Sequence, residues 1–346
     1  MAMRYRFYTT SSRAWGAMLS AISTAQTSIY LEMYIFENDT VGYDFLSELI
    51  NKAQSGVQVV VILDAIGSFG LATAEIERLR SSGAEVLFFS YWFKRTHRKI
   101  LIVDEYTVFL GGVNISGKHA PWKDLQMRLS GKNVSRFALR TFARTYRDCG
   151  GKEPILQERK RPALLKQTRL WFIEHGVGGK RLTLKKYYEE HIDSALHRIV
   201  LVTPYFIPHR WFIAHIHQAI IRGVRVEIII PRHTDHTFID RLNIHYLKLF
   251  SDIGASCYLA EEMNHAKAML IDEREGTVGS HNLDALSFDW NAEASVFFDD
   301  PHMVADLEKI ILDWKLHAVT LSREHYPAHW YDILLGYMLS FFQSVL

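Results

Sequence analysis

Short apolar runs alternate along the first part of the chain with segments whose apolar side chains recur every three or four residues. Residues 28–36 are rich in β-branched and aromatic side chains and predict a strand, and residues 57–63 predict a second, buried strand. Residues 44–53 have helical spacing, and a further helix and strand are predicted over residues 75–80 and 85–89. This order of elements indicates an α/β fold in which helical crossovers join parallel strands.

The second half of the chain repeats this order of elements. Strands are predicted over residues 198–207 and 255–259, and helices over residues 211–221 and 242–250. The repeat indicates duplication of one unit. We therefore expect an α/β protein of two homologous α/β/α lobes, each with a mixed, mainly parallel sheet.

One motif occurs in both halves. The first copy, H-R-K-I-L-I-V-D, begins at His97 and leads to G-G-V-N at residues 111–114; the second, H-A-K-A-M-L-I-D, begins at His265 and leads to G-S-H-N at residues 279–282. Both fit H-x-K-x4-D-x6-G-[GS]-x-N, and the second lies 168 positions after the first without a gap. A single H-x-K would carry no information, whereas two full matches at a constant offset indicate a duplicated functional unit.

Each motif places two functional side chains on one side of a strand, because residues two apart project in the same direction. The Asp of each copy lies an odd number of residues from its His, so we expect it to brace the site rather than react. A small residue, Gly112 or Ser280, allows close approach of a backbone, and Asn114 or Asn282 adds an uncharged donor. The candidate catalytic residues are His97, Lys99, Asp104, His265, Lys267 and Asp272.

A carboxylate follows each motif at a matching distance. Asp124 lies 27 residues after His97, and Glu293 lies 28 residues after His265. Each could accept a hydrogen bond from a histidine Nδ1–H and fix the tautomer. The sequence leaves open whether each carboxylate serves the histidine of its own lobe or that of the other.

The chemistry of these residues suits a phosphate ester. If the lobes pack about a pseudo-twofold axis, two His, two Lys and two Asn converge on one shared active site, where cations and amides bind a phosphate group. One histidine can attack phosphorus to form a covalent phosphohistidine while the other protonates the leaving oxygen. The lysines supply the positive charge that Mg²⁺ supplies elsewhere, so we expect no metal ion and no other cofactor.

The composition fits two lobes and restricts the kinds of binding partner that we expect. A chain of 346 residues with 48% hydrophobic and 23% charged residues is ordinary for a globular protein, and a net charge of +2 does not favour nucleic acid. Its two cysteines lack metal-ligand spacing, which favours a reducing compartment. No signal peptide or membrane span is apparent. The expected division is a lobe of residues 1–150, a linker of residues 151–186 and a lobe of residues 187–346.

Two segments favour contact with an anionic membrane surface. Residues 152–186 contain ten basic and three acidic residues with interleaved leucine and aromatic side chains, which suits anionic lipid headgroups. The tail of residues 330–346 carries one charge, Asp332, and could form a helix lying on a bilayer. A solvated linker and a helix packed on the core remain open as alternatives.

The two motifs resemble the signature of the phospholipase D superfamily. T-P-Y-F-I-P at residues 203–208, together with residues 29–36 and 279–284, is most similar to bacterial cardiolipin synthases. The resemblance implies a phosphatidyl group moved between phospholipids such as phosphatidylglycerol, with His97 as nucleophile and His265 as general acid and base. Because no membrane span is apparent and two segments favour anionic lipid, we expect a peripheral protein at the cytoplasmic face of the bacterial cell membrane.

The sequence departs from that family in three ways. Many cardiolipin synthases begin with transmembrane helices that this chain lacks. Leu286 precedes Ser287 where the family often has Arg, and His281 stands where a smaller or apolar residue is usual. These differences leave the phosphodiester chemistry intact and leave the donor and acceptor open.

Two other functions compete with a phosphatidyltransferase. A phosphodiester hydrolase, either a phospholipase D or a nuclease, would use the same two histidines. A nuclease would benefit from a basic groove, whereas the charges near the motifs are mixed. A non-catalytic binder of anionic lipid would not need both His-Lys pairs. Because one chain carries both motifs, the active site does not require an oligomer.

Overall fold

A computed structural model describes residues 3–91, 94–153, 170–175 and 183–322. The chain forms two compact units. The first comprises Met1–Arg181, Val278–His281 and Trp290–Phe297, and the second comprises Leu182–Thr277, Asn282–Asp289 and Phe298–Leu346. The first unit thus includes two short segments from the second half of the chain, one within the second motif and one after it. Most of the basic linker and the whole apolar tail lie outside the described residues.

The first half of the chain alternates strands and helices as the sequence predicts, with additional elements at its start and end. In chain order the elements are β1 (Arg4–Thr10), α1 (Ser11–Ser23), β2 (Ser28–Met33), α2 (Phe45–Gln54), β3 (Gln58–Asp64), α3 (Thr73–Ser81), β4 (Glu85–Phe89), β5 (Lys99–Val103), β6 (Thr107–Gly111), β7 (Lys123–Ser130) and α4 (Lys132–Asp148).

These strands form one mixed sheet in the order β1-β7-β6-β5-β2-β3-β4. Only β2, β3 and β4 pair in parallel, and the other four pairings are antiparallel. The prediction of a mixed sheet is confirmed, but the prediction that this sheet is mainly parallel is wrong. The strands around the first motif are joined by short loops, which permit antiparallel neighbours, whereas parallel pairing requires a long crossover.

The rest of the chain forms a second mixed sheet. Its strands and accompanying helices are β8 (Leu170–His175), α5 (Thr183–Ser194), β9 (Arg198–Val202), β10 (Phe206–Ile207), α6 (Arg210–Ile221), β11 (Arg225–Pro231), α7 (Thr237–Asp252), β12 (Ser256–Ala260), β13 (Ala268–Ile271), β14 (Glu275–Gly279), β15 (Leu283–Asp284), α8 (Ala285–Asp289), β16 (Glu293–Phe298), α9 (Pro301–Leu316) and β17 (Ala318–Thr320).

The strand order of the second sheet reproduces that of the first. Read from β8, the order is β8-β16-β14-β13-β9-β11-β12, followed by β17 at the edge; β10 and β15 pair separately. Each of the first seven positions has a counterpart in the first sheet, with β13 in the place of β5. The two lobes inferred from the repeated motif are therefore confirmed as two copies of one topology.

The core of the first unit explains why its predicted elements form. Apolar side chains of α1 and α2, including Trp15, Met18 and Leu49, pack against Leu31 and Leu101 of the sheet, and all five are at most 1% exposed. Asp44 caps α2 by accepting a hydrogen bond from the Ser47 N–H at 2.9 Å. Burial of one face of each helix therefore fixes the layer beside β2 and β5.

One predicted strand is divided. The apolar run over residues 198–207 forms β9 and β10, which are separated at Thr203–Pro204. Proline lacks an N–H group and cannot continue a sheet ladder from both sides. Within the described ranges, none of the helices combines the length and hydropathy that a membrane crossing requires.

The Asp of each motif lies in a tight turn between two strands. Asp104 and Glu105 have φ values of 53° and 48°, and Asp272 and Glu273 have 52° and 48°. Two consecutive residues with positive φ are typical of two-residue hairpin turns. The turns reverse the chain directly after β5 and β13.

The Asp104 carboxylate joins its turn to the start of β2. It accepts hydrogen bonds from the N–H groups of Gln26, Thr27 and Ser28 at 2.7–3.1 Å. Burial raises the pKa of Asp104, but these hydrogen bonds outweigh burial and hold the pKa below its ordinary value. Asp104 therefore stabilises the fold around the motif strand.

Asp272 has the same role at the start of β9. Its carboxylate accepts from the N–H groups of Leu196, His197 and Arg198 at 2.8–2.9 Å. Burial again raises its pKa, and the amide hydrogen bonds together with the charge on Arg274 lower it overall. Both aspartates thus bind backbone amides at the end of the motif strand that lies away from the histidine.

Replacing Asp104 by Asn tests this role of the charge. Asn tolerates a positive φ, so the turn is retained while the negative charge is lost. We expect the free energy of unfolding at pH 7, measured with urea, to fall by about 1–2 kcal/mol, a modest value because the carboxylate is partly exposed. Because folding lowers the pKa of Asp104, its contribution is present above the unfolded pKa and is lost as pH falls through the folded one.

The difference between the wild type and Asp104→Asn should therefore shrink between pH 7 and pH 3. Asp44→Asn is the matched control, since Asn caps a helix as well as Asp does and little change is expected. A difference for Asp104→Asn that stayed constant over this pH range would contradict the role given to the charge.

Candidate active site

The segment that carries the first motif histidine is held in the first unit by backbone hydrogen bonds. The His97 N–H donates to the Ala292 carbonyl at 2.9 Å, and the Ala292 N–H donates to the Arg95 carbonyl at 2.8 Å. β5 begins two residues later, at Lys99. His97 is 7% exposed and Lys99 is fully buried, so both side chains are fixed by their surroundings.

Glu293 is the partner of His97. His97 Nδ1 lies 3.0 Å and 3.2 Å from the two carboxylate oxygens of Glu293, and the Ser280 hydroxyl donates to the same carboxylate. Burial raises the pKa of Glu293, but the charge and hydrogen bond of His97, the charge of Lys99 and the Ser280 hydroxyl lower it to about 2. An ionised carboxylate accepts a hydrogen bond from a protonated Nδ1, which makes Nε2 the basic nitrogen of the neutral imidazole of His97.

This pair answers a question that the sequence left open. Glu293 follows the second motif, yet its hydrogen bond is to the histidine of the first motif, 196 residues earlier. Both residues belong to the first unit, because the segment Trp290–Phe297 is part of it. The carboxylate after the second motif therefore serves the other motif's histidine.

Gly112 and Ser280, which follow β6 and β14, occupy equivalent positions in the two lobes. The Gly112 N–H donates to the Leu125 carbonyl at 3.0 Å, and the Ser280 N–H donates to the Ala294 carbonyl at 3.0 Å. The residues that precede these two acceptors are thereby aligned with each other. They are Asp124 and Glu293.

Each carboxylate is matched to the small residue beside it. A Cβ atom on Gly112 would lie 2.1 Å from Asp124 Oδ1, so only glycine leaves room for this buried aspartate. Ser280 instead supplies a hydroxyl that donates to Glu293 and accepts from the Ala294 N–H at 3.1 Å. The G-[GS] variation in the motif therefore follows the identity of the neighbouring carboxylate.

An aromatic ring flanks the first His-Lys pair. The ring of Tyr34 lies edge-on to His97 with 4.8 Å between centroids, and Lys99 Nζ lies 5.0 Å from the centre of the same ring. Lys99 Nζ also donates to the His97 carbonyl at 2.7 Å. Tyr34 was not predicted from the sequence; its position just after the end of β2 was the available signal.

The second unit contains an analogous pair. Lys267 Nζ donates to the His265 carbonyl at 2.5 Å, and both residues are less than 5% exposed. The ring of Tyr205 lies 6.2 Å from that of His265, and its hydroxyl donates to Asp235 at 2.6 Å. Burial raises the pKa of Asp235, but the Tyr205 hydrogen bond and the charges of His236 and His265 lower it overall.

Both motif asparagines have a buried, unpartnered amide oxygen. The Oδ1 atoms of Asn114 and Asn282 have no hydrogen-bond partner among the described residues, and the residues are 3% and 5% exposed. Their backbones are fixed: Trp15 Nε1 donates to the Asn114 carbonyl at 2.8 Å, and the Asn282 N–H donates to Ser287 Oγ at 3.1 Å. Buried polar atoms without partners are rare, so these amides are available to a ligand.

A buried polar network supports the His97 segment from within the first unit. Arg98, which is 1% exposed, donates through Nε to the Glu293 carbonyl at 3.2 Å and through Nη1 to Thr145 Oγ1 at 2.6 Å. Glu32 accepts from Thr145 Oγ1 at 3.0 Å and from Thr96 Oγ1 at 2.5 Å. Glu32 and Arg98 were not predicted; the signal was a carboxylate within an otherwise apolar strand.

Asp64 completes this support. Its carboxylate accepts from the Thr96 N–H at 2.9 Å and from the Gly67 N–H at 2.9 Å. Burial raises the pKa of Asp64, and the amide hydrogen bonds oppose this increase. The residue before His97 is therefore tied to the end of β3.

The structure distributes the sequence-predicted residues between the units. The first unit brings together His97, Lys99, Glu293 and Ser280, and the second contains His265, Lys267 and Asn282. His281, which stands where the family usually has a smaller or apolar residue, is 2% exposed, and its Nδ1 lies 2.6 Å from Ser295 Oγ. Across the described ranges, no group of three or more His, Cys, Asp or Glu side chains could hold a metal ion.

Comparisons with known proteins point to one family. A family model described as "Cardiolipin synthase, PLD-like domain" matches residues 18–132 and 188–314, more than half of the chain. The cardiolipin synthase of Clostridium perfringens (strain 13 / Type A) is 29% identical over 315 residues, covering 84% of this chain and 66% of the relative. The major cardiolipin synthase ClsA of Bacillus subtilis is 30% identical over 315 residues, covering 82% and 63%. The chain spans slightly less than two thirds of the length of these two relatives.

Solved structures share the fold. The phosphatidylserine synthase of Haemophilus influenzae superposes with a TM-score of 0.77 at 17% identity, covering 99% of this chain and 94% of that one. The polyphosphate kinase of Porphyromonas gingivalis superposes with a TM-score of 0.64 at 16% identity, covering 92% and 48%. At these identities the likeness concerns the fold.

Replacing Glu293 by Gln tests the buried pair. The change removes the buried negative charge that faces the His97 Nδ1–H and the Lys99 ammonium group, and we expect the free energy of unfolding at pH 7 to fall by about 3 kcal/mol. Folding lowers the pKa of Glu293 from 4.5 to about 2, so its stabilising contribution is present above pH 4.5 and is lost as pH falls towards 2.

Urea unfolding at pH 6 and pH 3 should therefore show a smaller loss of stability on acidification for Glu293→Gln than for the wild type. Glu48→Gln, on the partly exposed face of α2, is the control and should lose stability as the wild type does. Equal acid sensitivity of Glu293→Gln and the wild type would contradict an ionised Glu293.

Proposed function

Because this chain belongs to the cardiolipin synthase family of phospholipase D-like domains, we propose that it is a phosphatidyltransferase of the cardiolipin synthase type. It would move a phosphatidyl group between phospholipids such as phosphatidylglycerol through a covalent phosphohistidine. The observation that carries the proposal is the His97–Glu293 pair, which holds the imidazole with Nδ1 protonated, the tautomer in which Nε2 is the nucleophilic nitrogen.

The proposed reaction has two displacements. His97 Nε2 attacks phosphorus, the P–N bond forms, and the P–O bond to glycerol breaks while His265 donates a proton to the leaving oxygen. The hydroxyl of a second phosphatidylglycerol then loses its proton to His265 and attacks phosphorus, which releases His97. Glu293 stabilises the positive charge on His97 while the intermediate exists. The proposal requires both motifs to act in one shared active site.

The remaining candidate residues would stabilise the transferring phosphate. Lys99 and Lys267 supply positive charge, and the Nδ2 groups of the buried residues Asn114 and Asn282 supply N–H donors. Because Asp124 is aligned with Glu293, we propose Asp124 as the carboxylate that orients His265. This set provides the charge stabilisation without a metal ion or other cofactor.

A loop beside the first half-site supports a lipid substrate. Ile66 and Phe69, between β3 and α3, are 58% and 87% exposed. The loop is anchored by Asp64, which accepts from the Ile66 N–H at 3.1 Å, and by Ser68, whose hydroxyl donates to the Tyr34 carbonyl at 2.9 Å. The loop therefore places exposed apolar side chains next to Tyr34, which contacts His97. Such a surface suits an amphiphilic substrate, whereas a nuclease is expected to have a basic surface there.

The proposed location is peripheral, at the cytoplasmic face of an anionic bacterial membrane. The cardiolipin synthase relatives support a membrane-associated protein. The basic linker and the apolar tail remain the predicted membrane contacts, and most of the former and all of the latter lie outside the described residues. The active site proposed for one chain does not require an oligomer.

The products distinguish a transferase from a hydrolase. Purified protein is incubated with phosphatidylglycerol vesicles, with and without EDTA, and the lipids are identified by mass spectrometry. We expect diphosphatidylglycerol and free glycerol at a rate that EDTA does not change, because lysines provide the positive charge. Phosphatidic acid as the sole product would indicate a hydrolase, and a strong loss with EDTA would contradict metal independence.

Trapping the intermediate assigns the two histidines. In His265→Asn the release step lacks its base, so a phosphatidyl group should accumulate on the peptide that contains His97. His97→Asn should form no adduct, and both variants should lose at least about a thousandfold in turnover. Near-normal turnover of His97→Asn would contradict the proposal, and an adduct on the His265 peptide would reverse the two roles.

A further inference from the structure

Three arginines share one face at the edge of the first sheet. Arg4 and Arg6 alternate along β1, and Arg6 lies directly opposite Arg128 of β7 in the antiparallel register. Arg4 is opposite Ser130, which is in turn opposite Thr107 of β6. Because residues two apart on a strand project to the same face, the three guanidinium groups and two hydroxyl groups face the same side.

This face is positively charged without compensation. Among the described residues, none of the three arginines forms an ion pair with a carboxylate. Like charges directly opposite each other on neighbouring strands destabilise a sheet. The Arg6–Arg128 pair is therefore a repulsive contact that a bound anion would relieve.

The three arginines border a cavity, and aromatic rings hold two of them, Arg6 and Arg128. The cavity has a volume of about 330 Å³ and is also lined by Tyr106 and Thr107. Arg6 lies over the ring of Tyr8 at 5.3 Å, and Arg128 lies over that of Phe109 at 5.8 Å. Stacking limits the freedom of these side chains and presents their N–H groups to the cavity.

The cavity is separate from the candidate active site. Tyr106 and Thr107 follow the turn at the far end of β5, whereas His97 precedes the beginning of that strand. None of the motif histidines, lysines or asparagines lines the cavity. A ligand bound to the arginines would therefore occupy a second site.

The second lobe lacks this cluster. At the motif offset of 168, Thr107 corresponds to Glu275; at the offset of 169 that aligns Asp124 with Glu293, Arg128 and Ser130 correspond to Phe297 and Asp299. Burial and the neighbouring charge of Asp299 raise the pKa of Glu275 to about 8. The duplicated positions thus carry acidic and apolar residues, so the arginine cluster is a specific feature of the first lobe.

We propose that Arg4, Arg6 and Arg128 form a binding site for the phosphate group of a phosphate ester, distinct from the catalytic histidines. Arginine binds phosphate oxygens through paired N–H donors, and Ser130 and Thr107 add hydroxyl donors. The site stands independently of the proposed transferase activity, because it shares no residue with that reaction.

Binding is measured by calorimetry on the full chain with inorganic phosphate and with glycerol 3-phosphate, and by cosedimentation with phosphatidylglycerol vesicles. The test variant is Arg4→Gln with Arg6→Gln, both exposed on an edge strand, and Arg128→Gln is a second variant. We expect one class of phosphate sites to weaken at least about tenfold in the test variant, since two charged hydrogen-bond donors are lost.

Arg13→Gln with Arg78→Gln is the control, because it removes the same charge from exposed positions elsewhere in the first unit. The control should bind phosphate as the wild type does, and hydrolysis of a soluble phosphodiester should be the same in all folded variants. Loss of vesicle binding alone would identify a lipid headgroup as the source of the phosphate. Unchanged binding of both phosphate compounds and vesicles in the arginine variants would overturn the proposal.

Discussion

The hydrogen bond between Glu293 and His97 is the interaction on which the candidate site depends. It lies in a buried environment, and the pKa of Glu293 falls to about 2 because cationic partners and a hydroxyl outweigh the effect of burial. A buried carboxylate without those partners would be strongly destabilising. The same contact fixes the tautomer of His97, so the stability of this region and the reactivity of the histidine have one physical origin.

The duplicated lobes have kept their topology while their polar positions have diverged. The Asp of each motif still binds three backbone amides in both copies. After β6 and β14, by contrast, Gly112 is paired with Asp124 and Ser280 with Glu293. A longer carboxylate in the second copy accompanies a residue that can donate a hydrogen bond to it. Divergence has therefore changed both members of the pair, since any side chain at Gly112 would collide with Asp124.

The sequence predicts much of the fold and the site because both leave local patterns. The apolar runs predict the strand at Glu85–Phe89 with its observed bounds, and the constant offset predicts two lobes. Local patterns do not reveal which carboxylate reaches which histidine, since that depends on contacts across 196 residues. Tyr34, Glu32 and Arg98 were missed for the same reason, because their roles arise from packing around His97.

Several other features also required the structure. α1, β1 and α4 were not predicted. The outer face of α4 is strongly polar, whereas its buried residues contact the sheet. The antiparallel pairings of β5 and β6 follow from a turn with two positive φ values at Asp and Glu, residues that rarely signal a hairpin. The arginine cluster was not visible either, since Arg6 and Arg128 are opposed only through strand pairing.

The inclusion of residues 290–297 in the first unit affects how the chain is made. During synthesis from the N-terminus, the first sheet can emerge and pair well before Glu293 leaves the ribosome. Until then His97 lacks its carboxylate and the Arg98 guanidinium lacks the carbonyl to which its Nε donates. The proposed nucleophile therefore reaches its final environment only after Glu293, 196 residues further along the chain, has been added, so His97 matures long after its own strand has been made.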